Sequence, residues 1–376
     1  MKKYLALFLV VILMAASLSA CGKQVEAKGA NAKQNGSDQK LEIVTTIFPE
    51  YDWVCNLVGG SDRANLTMLL DNGVDLHNYQ PTVSDIMKIS TCDLFVYVGG
   101  ESDEWVEDAL KQVTNQNMKV INLLEALGDA VKAEEIVEGM EHDHDHKDGD
   151  DHDHEDGDDH DHEDGDDHDH EDSDDHEDGD DHDHGDGDDH DHDHDHEEEM
   201  DEHVWLSLRN TSVICNVITD ALCELDPKNK ETYQANLESY QTKLSALDQE
   251  YVAATQKATY KTLLFGDRFP FRYLVDDYGL SYYAAFAGCS AESEASFETV
   301  TFLAGKLDEL KLPAIMTIEG KNHKIAETIR TASKAKNQEI LTMDSMQATT
   351  MQDVKNGTTY LKIMTGNLEV LKKAIQ

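Results

Sequence analysis

Residues 201–206 read Asp201-Glu202-His203-Val204-Trp205-Leu206, and a globular sequence begins at this stretch. Immediately upstream, residues 141–199 consist almost entirely of His, Asp, Glu and Gly, and they contain 16 of the 19 histidines. Three histidines remain in sequence that can fold, namely His77, His203 and His323. Imidazole and carboxylate groups are ligands for borderline divalent metals. A low-complexity tract built from them, next to an isolated histidine in a folded context, therefore indicates metal handling.

The charge of the chain is concentrated in the same tract. Residues 141–202 carry 37 acidic residues and one lysine, so most of the net charge of −47 lies there and only −11 belongs to the rest. A block of like charge repels itself and has no apolar surface to bury, which predicts disorder in the absence of counter-ions. Nucleic acid is excluded as a partner because its binding needs positive charge.

Multivalent cations are the expected partners of the tract. Its core is an eight-residue repeat of His, Asp, Glu and Gly at residues 152–159 and 160–167, without the apolar face that a solenoid would need. We predict weak, multi-site metal capture, lost as the histidines become protonated below about pH 6.5. The histidines assigned to this accessory role are His142, His144, His146, His152, His154, His190, His192, His194 and His196.

The amino terminus has the pattern of a bacterial lipoprotein signal. Two lysines precede an apolar stretch that is too short for a membrane span, and Leu18-Ser19-Ala20-Cys21 follows. Cleavage before Cys21 would leave that residue lipidated and anchor the protein at the outer face of the cytoplasmic membrane. The other five cysteines fit no zinc-finger spacing and are interpreted as small buried residues without a function.

The remaining chain alternates between predicted strands and helices, which indicates parallel sheets flanked by helices. Strands are predicted at 41–47 and 262–265, and helices at 103–113 and 211–225. The predicted fold is α/β, with two lobes joined by one long rigid helix and a metal site between them. The predicted segments are a signal peptide (1–20), a flexible tether (21–40), an amino-terminal lobe (41–227) with a disordered insertion (141–199), a linking helix (228–256) and a carboxy-terminal lobe (257–376).

The linking helix has the clearest local pattern. Its apolar residues alternate in steps of four and three and form one uninterrupted stripe, which consists of Tyr233, Leu237, Tyr240, Leu244, Leu247 and Tyr251. No Gly or Pro interrupts it, so the helix is predicted to be stiff and to limit movement between the lobes.

Candidate metal ligands follow predicted strands, because ligands of open α/β sheets bind at the carboxyl ends of strands. His77 lies in a turn after the second strand, and His203 opens the last helix of the first lobe. In the second lobe the candidates are Asp267 (after the strand at 262–265), Glu319 and Asp344. Two imidazoles with one or two carboxylates predict a Zn²⁺ site, and more oxygen ligands would favour Mn²⁺.

Several motifs together resemble the zinc/manganese-binding lipoproteins of bacterial ABC importers. They are the segments 73–81 around His77 and 201–206 around His203, Asp226-Pro227 with the long Tyr/Leu helix, Tyr278-Gly279-Leu280, and Tyr360-Leu361-Lys362-Ile363-Met364. The resemblance covers nearly all of residues 41–376. It implies a receptor that binds Zn(II), with Mn(II) as the alternative, and delivers it to a membrane permease and its ATPase.

The resemblance also implies a ligand set. It places ligands at His77, His203 and Asp344, whereas the position of the family's third ligand falls on Arg268, which cannot bind a cation. Asp267, Glu319, water or a tract histidine are the candidates to take its place.

Two other functions fit the same residues. A zinc hydrolase would need an open coordination position and a general base, for which Glu319 is the candidate, but no HExxH motif occurs. A metal buffer or a surface adhesin would bind metal without transport. The receptor is the leading hypothesis, and we do not expect an enzyme.

Overall fold

In the part of the chain that the structure describes, eight short strands form two sheets. The computed structural model describes residues 40–60, 62–140, 199–290, 294–320 and 322–376. The predicted signal peptide, the Cys21 lipidation site, the tether up to residue 39 and the tract histidines lie outside this part. The strands are β1 (Leu41–Thr45), β2 (Ala64–Met68), β3 (Leu94–Tyr97), β4 (Lys119–Asn122), β5 (Thr262–Phe269), β6 (Ser281–Ala287), β7 (Ala314–Ile318) and β8 (Glu339–Met343).

The two sheets have the same topology. The strand order is β2-β1-β3-β4 in the first sheet and β6-β5-β7-β8 in the second, and every pairing is parallel. Parallel neighbours need crossover connections, and helices supply them here. The α-helices are α1 (Phe48–Val58), α2 (Val83–Thr91), α3 (Trp105–Leu110), α4 (Leu123–Leu127), α5 (Leu208–Leu225), α6 (Lys230–Gln256), α7 (Arg272–Tyr278), α8 (Phe297–Leu310), α9 (Lys324–Ala332), α10 (Met351–Lys355) and α11 (Tyr360–Ile375). The predicted fold of two parallel-sheet lobes flanked by helices is confirmed.

Helix α6 is the predicted linking helix. Its 27 residues make it about 40 Å long at the usual rise per residue. Five of the six residues in the predicted stripe are buried, and Leu237 is half-buried. The helix packs against α1 and α5 of the first lobe and against α7 and α11 of the second. One continuous helix therefore contacts both lobes.

Among the described residues, the larger of two apolar clusters runs through both lobes. It includes Ile43 and Phe95 of the first sheet, Trp205 between the sheets, and Phe265 of the second sheet. Trp53 on α1 also meets Tyr360 on α11 edge to face, with ring centroids 5.4 Å apart. A second, smaller cluster covers the other face of the second sheet. The shared core couples the two lobes.

Several element boundaries differ from the sequence-based predictions because of local capping. Helix α5 begins at Leu208 rather than 211, since the Ser207 hydroxyl accepts a hydrogen bond from the N–H of Asn210 and caps it. The helix predicted at 103–113 is only α3, because a 3₁₀ turn at Glu101–Asp103 precedes it. The first strand ends at Thr45, since α1 begins at Phe48.

The largest correction concerns β5. The strand predicted at 262–265 continues to Phe269, with an irregularity in its register against β6 between Phe265 and Arg268. Asp267 therefore lies within the strand and not after it. The prediction ended the strand at the first Gly and charged residues, but pairing with β6 carries the backbone further. Among the described residues, no helix has the length and apolar character needed to cross a bilayer.

Candidate metal centre

His77 lies on a 3₁₀ turn at Leu76–Asn78, in the connection that follows β2. Asp75 caps this turn, and its Oδ1 accepts a hydrogen bond from the backbone N–H of His77 (3.1 Å). The imidazole Nδ1 is 2.7 Å from Ser102 Oγ and 3.5 Å from Glu202 Oε2. The ring is thus held through Nδ1, which leaves Nε2 free to face the lobe boundary.

His203 is fully buried and is held in the same way. Asp201 Oδ1 accepts hydrogen bonds from the backbone N–H (2.8 Å) and from Nδ1 (2.9 Å) of His203. Its ring lies beside Trp205, with centroids 5.2 Å apart. His203 does not open the last helix of the lobe, as predicted, because a 3₁₀ turn at Val204–Leu206 separates it from α5. That turn directs the ring toward the lobe boundary.

The two imidazoles face each other through their free nitrogens. His77 Nε2 lies 3.3 Å from His203 Nε2. Two nitrogens bound to one tetrahedral Zn²⁺ at the usual bond length are roughly 3.3–3.4 Å apart. The spacing therefore fits two ligands of one zinc ion, with each ring already oriented by a partner on Nδ1.

Gln347 from the second lobe reaches the same two nitrogens. Its amide Nε2 is 2.9 Å from His203 Nε2 and 3.2 Å from His77 Nε2, so one amide group donates to both rings. Both Nε2 atoms must then be unprotonated acceptors, which is the state that binds a metal. The amide lies where a cation bound by both rings would lie, so a cation has to displace it.

Cys289 completes a cluster with the two histidines. One ligand atom from each of His77, His203 and Cys289 lies within 4.8 Å of the others. Among the residues that the structure describes, no other group of three His, Cys, Asp or Glu side chains meets this criterion. His77 and Cys289 also line a cavity of about 250 Å³, whose other walls include four carboxylates, Glu101, Glu134, Glu199 and Glu202. Glu199 is the residue at which the described chain resumes after the tract.

The three predicted carboxylates lie outside this cluster. Asp344 follows β8 and its Oδ1 accepts from the N–H of Met346 (2.8 Å). Glu319 follows β7 and accepts from the backbone N–H (2.7 Å) and the hydroxyl (2.6 Å) of Ser345. Asp267 accepts from the backbone N–H groups of Ile318 and Arg268 (3.3 and 3.0 Å). All three therefore hold loops of the second lobe.

Arg268 connects the loops around the site. Its Nη2 donates to Asp75 Oδ2 (2.7 Å), and its Nη1 donates to the carbonyl of Ser290 (3.3 Å). Asp75 caps the turn that carries His77, and Ser290 follows Cys289. One guanidinium therefore braces both ligand-bearing loops, although it cannot itself bind a cation.

Burial controls the protonation of the site. Burial and the neighbouring His203 lower the pKa of His77 to about 3, so its ring is neutral at neutral pH. Burial raises the pKa of the Cys289 thiol, and the charges of Glu134, Glu202 and Asp201 raise it further. Burial also raises the pKa of Glu202. The uncharged imidazole therefore lies beside acidic groups whose ionisation is disfavoured by burial, and a bound cation would stabilise their ionised forms.

The buried carboxyl of Asp103 is affected by the charge of Glu202. Its raised pKa can be tested through the dependence of stability on pH. Its Oδ2 accepts from the N–H groups of Val98 and Gly99 (3.0 Å each), and burial with the Glu202 charge raises its pKa to about 7. The folded state therefore binds a proton that the unfolded state releases between about pH 4 and 7, so stability from this group increases as the pH falls.

We expect the wild type to gain stability over Asp103→Asn by up to about 1.4 kcal/mol per pH unit as the pH falls from about 7 to 4. Urea unfolding of both proteins at each pH, with chelator present, measures this difference. Asp108→Asn, at a side chain that is 85% exposed, is the control and should give a flat difference over the same window. A flat difference for Asp103→Asn as well would contradict the raised pKa.

Sequence reasoning missed Cys289 and Gln347. The interpretation of the cysteines as buried residues holds for Cys92, Cys215 and Cys223, but Cys55 and Cys289 are half-buried. Cys289 follows β6 by two residues, so the rule that selected strand-end carboxylates would have selected it too. Gln347 carries no comparable signal, because an amide in a loop has many ordinary roles.

A larger cavity, of about 590 Å³, lies elsewhere in the second lobe. It is lined by Pro313, Ala314 and Glu339, at the amino-terminal ends of β7 and β8. Ligands of parallel sheets bind at the opposite, carboxyl ends. We therefore place the functional site at the smaller cavity beside the histidines.

Two parallel-sheet lobes packed on one long helix, with oriented imidazoles at the lobe boundary, define the class of two-lobed α/β proteins with a candidate metal site between the lobes. Residues 43–374 match the family model described as ZnuA, zinc-uptake complex component A periplasmic. The match covers most of the chain, which therefore belongs to the ZnuA family.

Two curated relatives agree with this assignment, and one solved structure supports the fold. The zinc-binding lipoprotein AdcA from Streptococcus pneumoniae serotype 4 is 28% identical over 365 residues, which cover 97% of this chain and 60% of that protein. The high-affinity zinc uptake system protein ZnuA from Bacillus subtilis is 27% identical over 377 residues, which cover 100% and 98%. The crystal structure of the metal-dependent lipoprotein YcdH from Bacillus subtilis has a TM-score of 0.64 at 24% identity and supports the fold, with coverage of 89% and 99%. The chain spans 57% to 60% of the length of the AdcA relatives that it matches.

Proposed function

We propose that this protein is the extracellular receptor of an ABC importer, which binds Zn(II) at the boundary of its lobes and delivers it to a membrane permease driven by an ATPase. His77 and His203 bind the cation through Nε2. The observation that carries this proposal is the spacing of 3.3 Å between the two Nε2 atoms, with Nδ1 of each ring held by a partner. Membership of the ZnuA family supports it.

Asp344 is proposed as the ligand from the second lobe. It lies on the same loop as Gln347, which already reaches both imidazoles. Burial raises the pKa of Asp344 to about 6, and repulsion from Glu319 adds to the shift. A cation would relieve this repulsion, which favours movement of the Asp344 carboxylate toward it once the Gln347 amide has left. Asp267 and Glu319 keep their structural hydrogen bonds in this proposal.

Location follows from the sequence. Lipid on Cys21 would hold the receptor at the outer face of the cytoplasmic membrane, with residues 21–40 as the tether to the folded part. Delivery would need only a local rearrangement, because α6 packs on both lobes and resists a wide hinge motion.

An enzymatic role is not part of the proposal. A zinc hydrolase needs a general base beside an open metal position. Glu319, the candidate base from the sequence, is hydrogen-bonded to the N–H and hydroxyl of Ser345 and lies outside the cluster with the histidines. The relatives AdcA and ZnuA are named for zinc binding and zinc uptake.

Growth under zinc limitation tests the receptor function. Cells that lack the gene, kept in chelator-treated medium, should regain growth and zinc uptake with the wild-type protein. They should not regain either with His77→Ala or Asp344→Ala. His323→Ala, at the third histidine of the folded sequence, is the matched control and should restore both. Full uptake with His77→Ala would reject the receptor site, and binding without any contribution to uptake would favour a metal buffer.

The tract is proposed to raise the local zinc concentration near the cleft. The chain resumes at Glu199, which lines the cavity, and Met200 pairs with Ala133 in an isolated bridge.

We expect deletion of residues 142–196 to remove several weak zinc sites while one tight site remains, because the ligands of the tight site lie in the folded lobes. Zinc titration by calorimetry, compared at pH 7.5 and pH 5.5, measures both classes. The weak class should disappear at the lower pH, since the histidines of the tract become protonated below about pH 6.5. Loss of the tight site on deletion would refute this division.

A further inference from the structure

The Cys289 sulfur is part of the cluster with the two histidines. The ligand atoms of Cys289, His77 and His203 lie within 4.8 Å of one another. Cys289 lies in the second lobe, just after β6, whereas both histidines lie in the first. The cluster therefore combines donors from both sides of the lobe boundary, as a cation bound between the lobes requires.

The loop after β6 is shaped to bring this thiol to the site. Gly288 packs directly on the His203 ring, and a Cβ at this position would be 3.0 Å from Cε1 of His203. A side chain here would require the His203 ring or the Phe269 carbonyl to move by a few tenths of an ångström, so glycine suits this close approach. The next residue is Cys289, whose N–H donates to Glu134 Oε1 (3.0 Å). The Cys289 loop is thus fixed against both the ring and the cavity wall.

Arg268 adds a second constraint on the same loop. It donates to the carbonyl of Ser290 and to Asp75, the residue that caps the turn with His77. The same side chain thereby sets the relative position of His77 and Cys289. Arg268 serves as a positioning residue, while the thiol supplies the electron pair that a guanidinium cannot.

A buried carboxylate oxygen points to a cation in the same cavity. Glu202 is 2% exposed, and its Oε2 has no hydrogen-bond partner. This oxygen is 3.5 Å from His77 Nδ1, and Glu202 lines the cavity together with His77 and Cys289. A buried, unpaired carboxylate oxygen is costly, and positive charge in the cavity would offset that cost.

We propose that Cys289 is a ligand of the transported cation beside His77, His203 and the proposed carboxylate of Asp344, and that the two imidazoles and the thiolate make the receptor selective for Zn(II) over Mn(II). Thiolate and imidazole favour zinc, whereas manganese favours carboxylate, carbonyl and water oxygens. On binding, the thiol releases its proton to solvent and the sulfur forms the bond to the metal. This inference rests on the proposed function and specifies its metal selectivity.

Cobalt substitution tests the sulfur ligand directly. The full chain loaded with Co(II) should show a sulfur-to-cobalt charge-transfer band, which Cys289→Ser should lose. The tract cannot produce this band, since residues 141–199 contain no cysteine. Cys55→Ser, at the other half-buried free cysteine, is the matched control and should retain the band. Unfolding curves of the metal-free variants establish that they are folded.

Measurements of metal affinity and of protection from alkylation distinguish a failure of the Cys289 proposal from a failure of the proposed receptor function. Cys289→Ser should weaken zinc binding at least tenfold and leave manganese binding nearly unchanged, and Cys289→Asp should shift the preference toward manganese. In the wild type, stoichiometric zinc should protect Cys289, but not Cys55, from alkylation with iodoacetamide. Tight zinc binding without the cobalt band and without protection would overturn the role of Cys289 but leave the receptor intact. Absence of any tight zinc site in the wild type would overturn the proposed function and this inference with it.

Discussion

The double variant His77→Ala/His203→Ala is expected to lose tight zinc binding altogether. Loss of a residue that only supports a ligand weakens metal binding about 10 to 100-fold, and loss of two ligands should exceed this by a wide margin. The two imidazole nitrogens, 3.3 Å apart, are the donors that the first lobe places at the boundary. A single remaining thiol or carboxylate could not replace them.

The measurement is a competition titration against a chromogenic zinc chelator, performed on a chain that lacks residues 142–196 so that the tract does not contribute. His323→Ala in the same background is the matched control, because His323 lies at the start of α9 and is not part of the cluster. It should bind zinc as the parent does. Retention of tight binding by the double variant would remove the basis of the proposed function.

The second large effect concerns stability and the link between the lobes. Trp205 is 1% exposed, and its indole N–H donates to the carbonyl of Ser345 in the second lobe (2.8 Å). Its own carbonyl accepts from the hydroxyl of Tyr360 (2.7 Å). We expect Trp205→Ala to lower the free energy of unfolding by about 3–5 kcal/mol, because it leaves a large cavity in the core shared by both lobes.

Urea unfolding with chelator present measures this loss, since bound metal would add its own stabilisation. Phe297→Ala, at a ring that is 86% exposed, is the control and should change stability by no more than about 0.5 kcal/mol. Similar effects of the two substitutions would contradict the placement of Trp205. Trp205→Phe keeps most of the side-chain volume but removes the hydrogen bond to Ser345. Its effect on stability therefore separates the contribution of core packing from that of the hydrogen bond between the lobes.

Trp205→Ala should also weaken zinc binding beyond its effect on folding. Ser345 holds Glu319, and its hydroxyl lies 3.0 Å from Gln347 Oε1. The indole therefore fixes the loop of the second lobe that meets both histidines. The zinc affinity of the fully folded fraction at low temperature measures this contribution apart from stability.

Patterns formed by residues close together in the sequence were sufficient to predict much of the fold. The stripe from Tyr233 to Tyr251 predicted α6 because side chains four and three residues apart share one face of a helix. Alternating strands and helices predicted two parallel sheets for the same kind of reason. His77 and His203 were selected as candidate ligands because each stands in a structured motif outside the tract.

Residues whose role depends on contacts between distant segments of the chain were predicted less well. Asp267 was placed after a strand, but pairing with β6 extends β5 through it and leaves its carboxylate bonded to Ile318. Cys289 was interpreted as an apolar residue, although it lies with the histidines. Gln347 comes 144 positions after His203 in the chain and still donates to its ring. No local pattern encodes such contacts.

The sequence by itself determined the fold class, the long helix and the family, and it selected the two imidazoles as candidate ligands, because each of these is expressed in short-range spacing and residue type. The tertiary structure alone decided which groups surround those imidazoles. Packing of the second lobe brings Cys289 and Gln347 to them and turns Asp267 and Glu319 toward backbone N–H groups. The direction of a side chain at a lobe boundary depends on the pairing of distant strands and on hydrogen bonds across the boundary, and these are fixed only when both lobes have folded together.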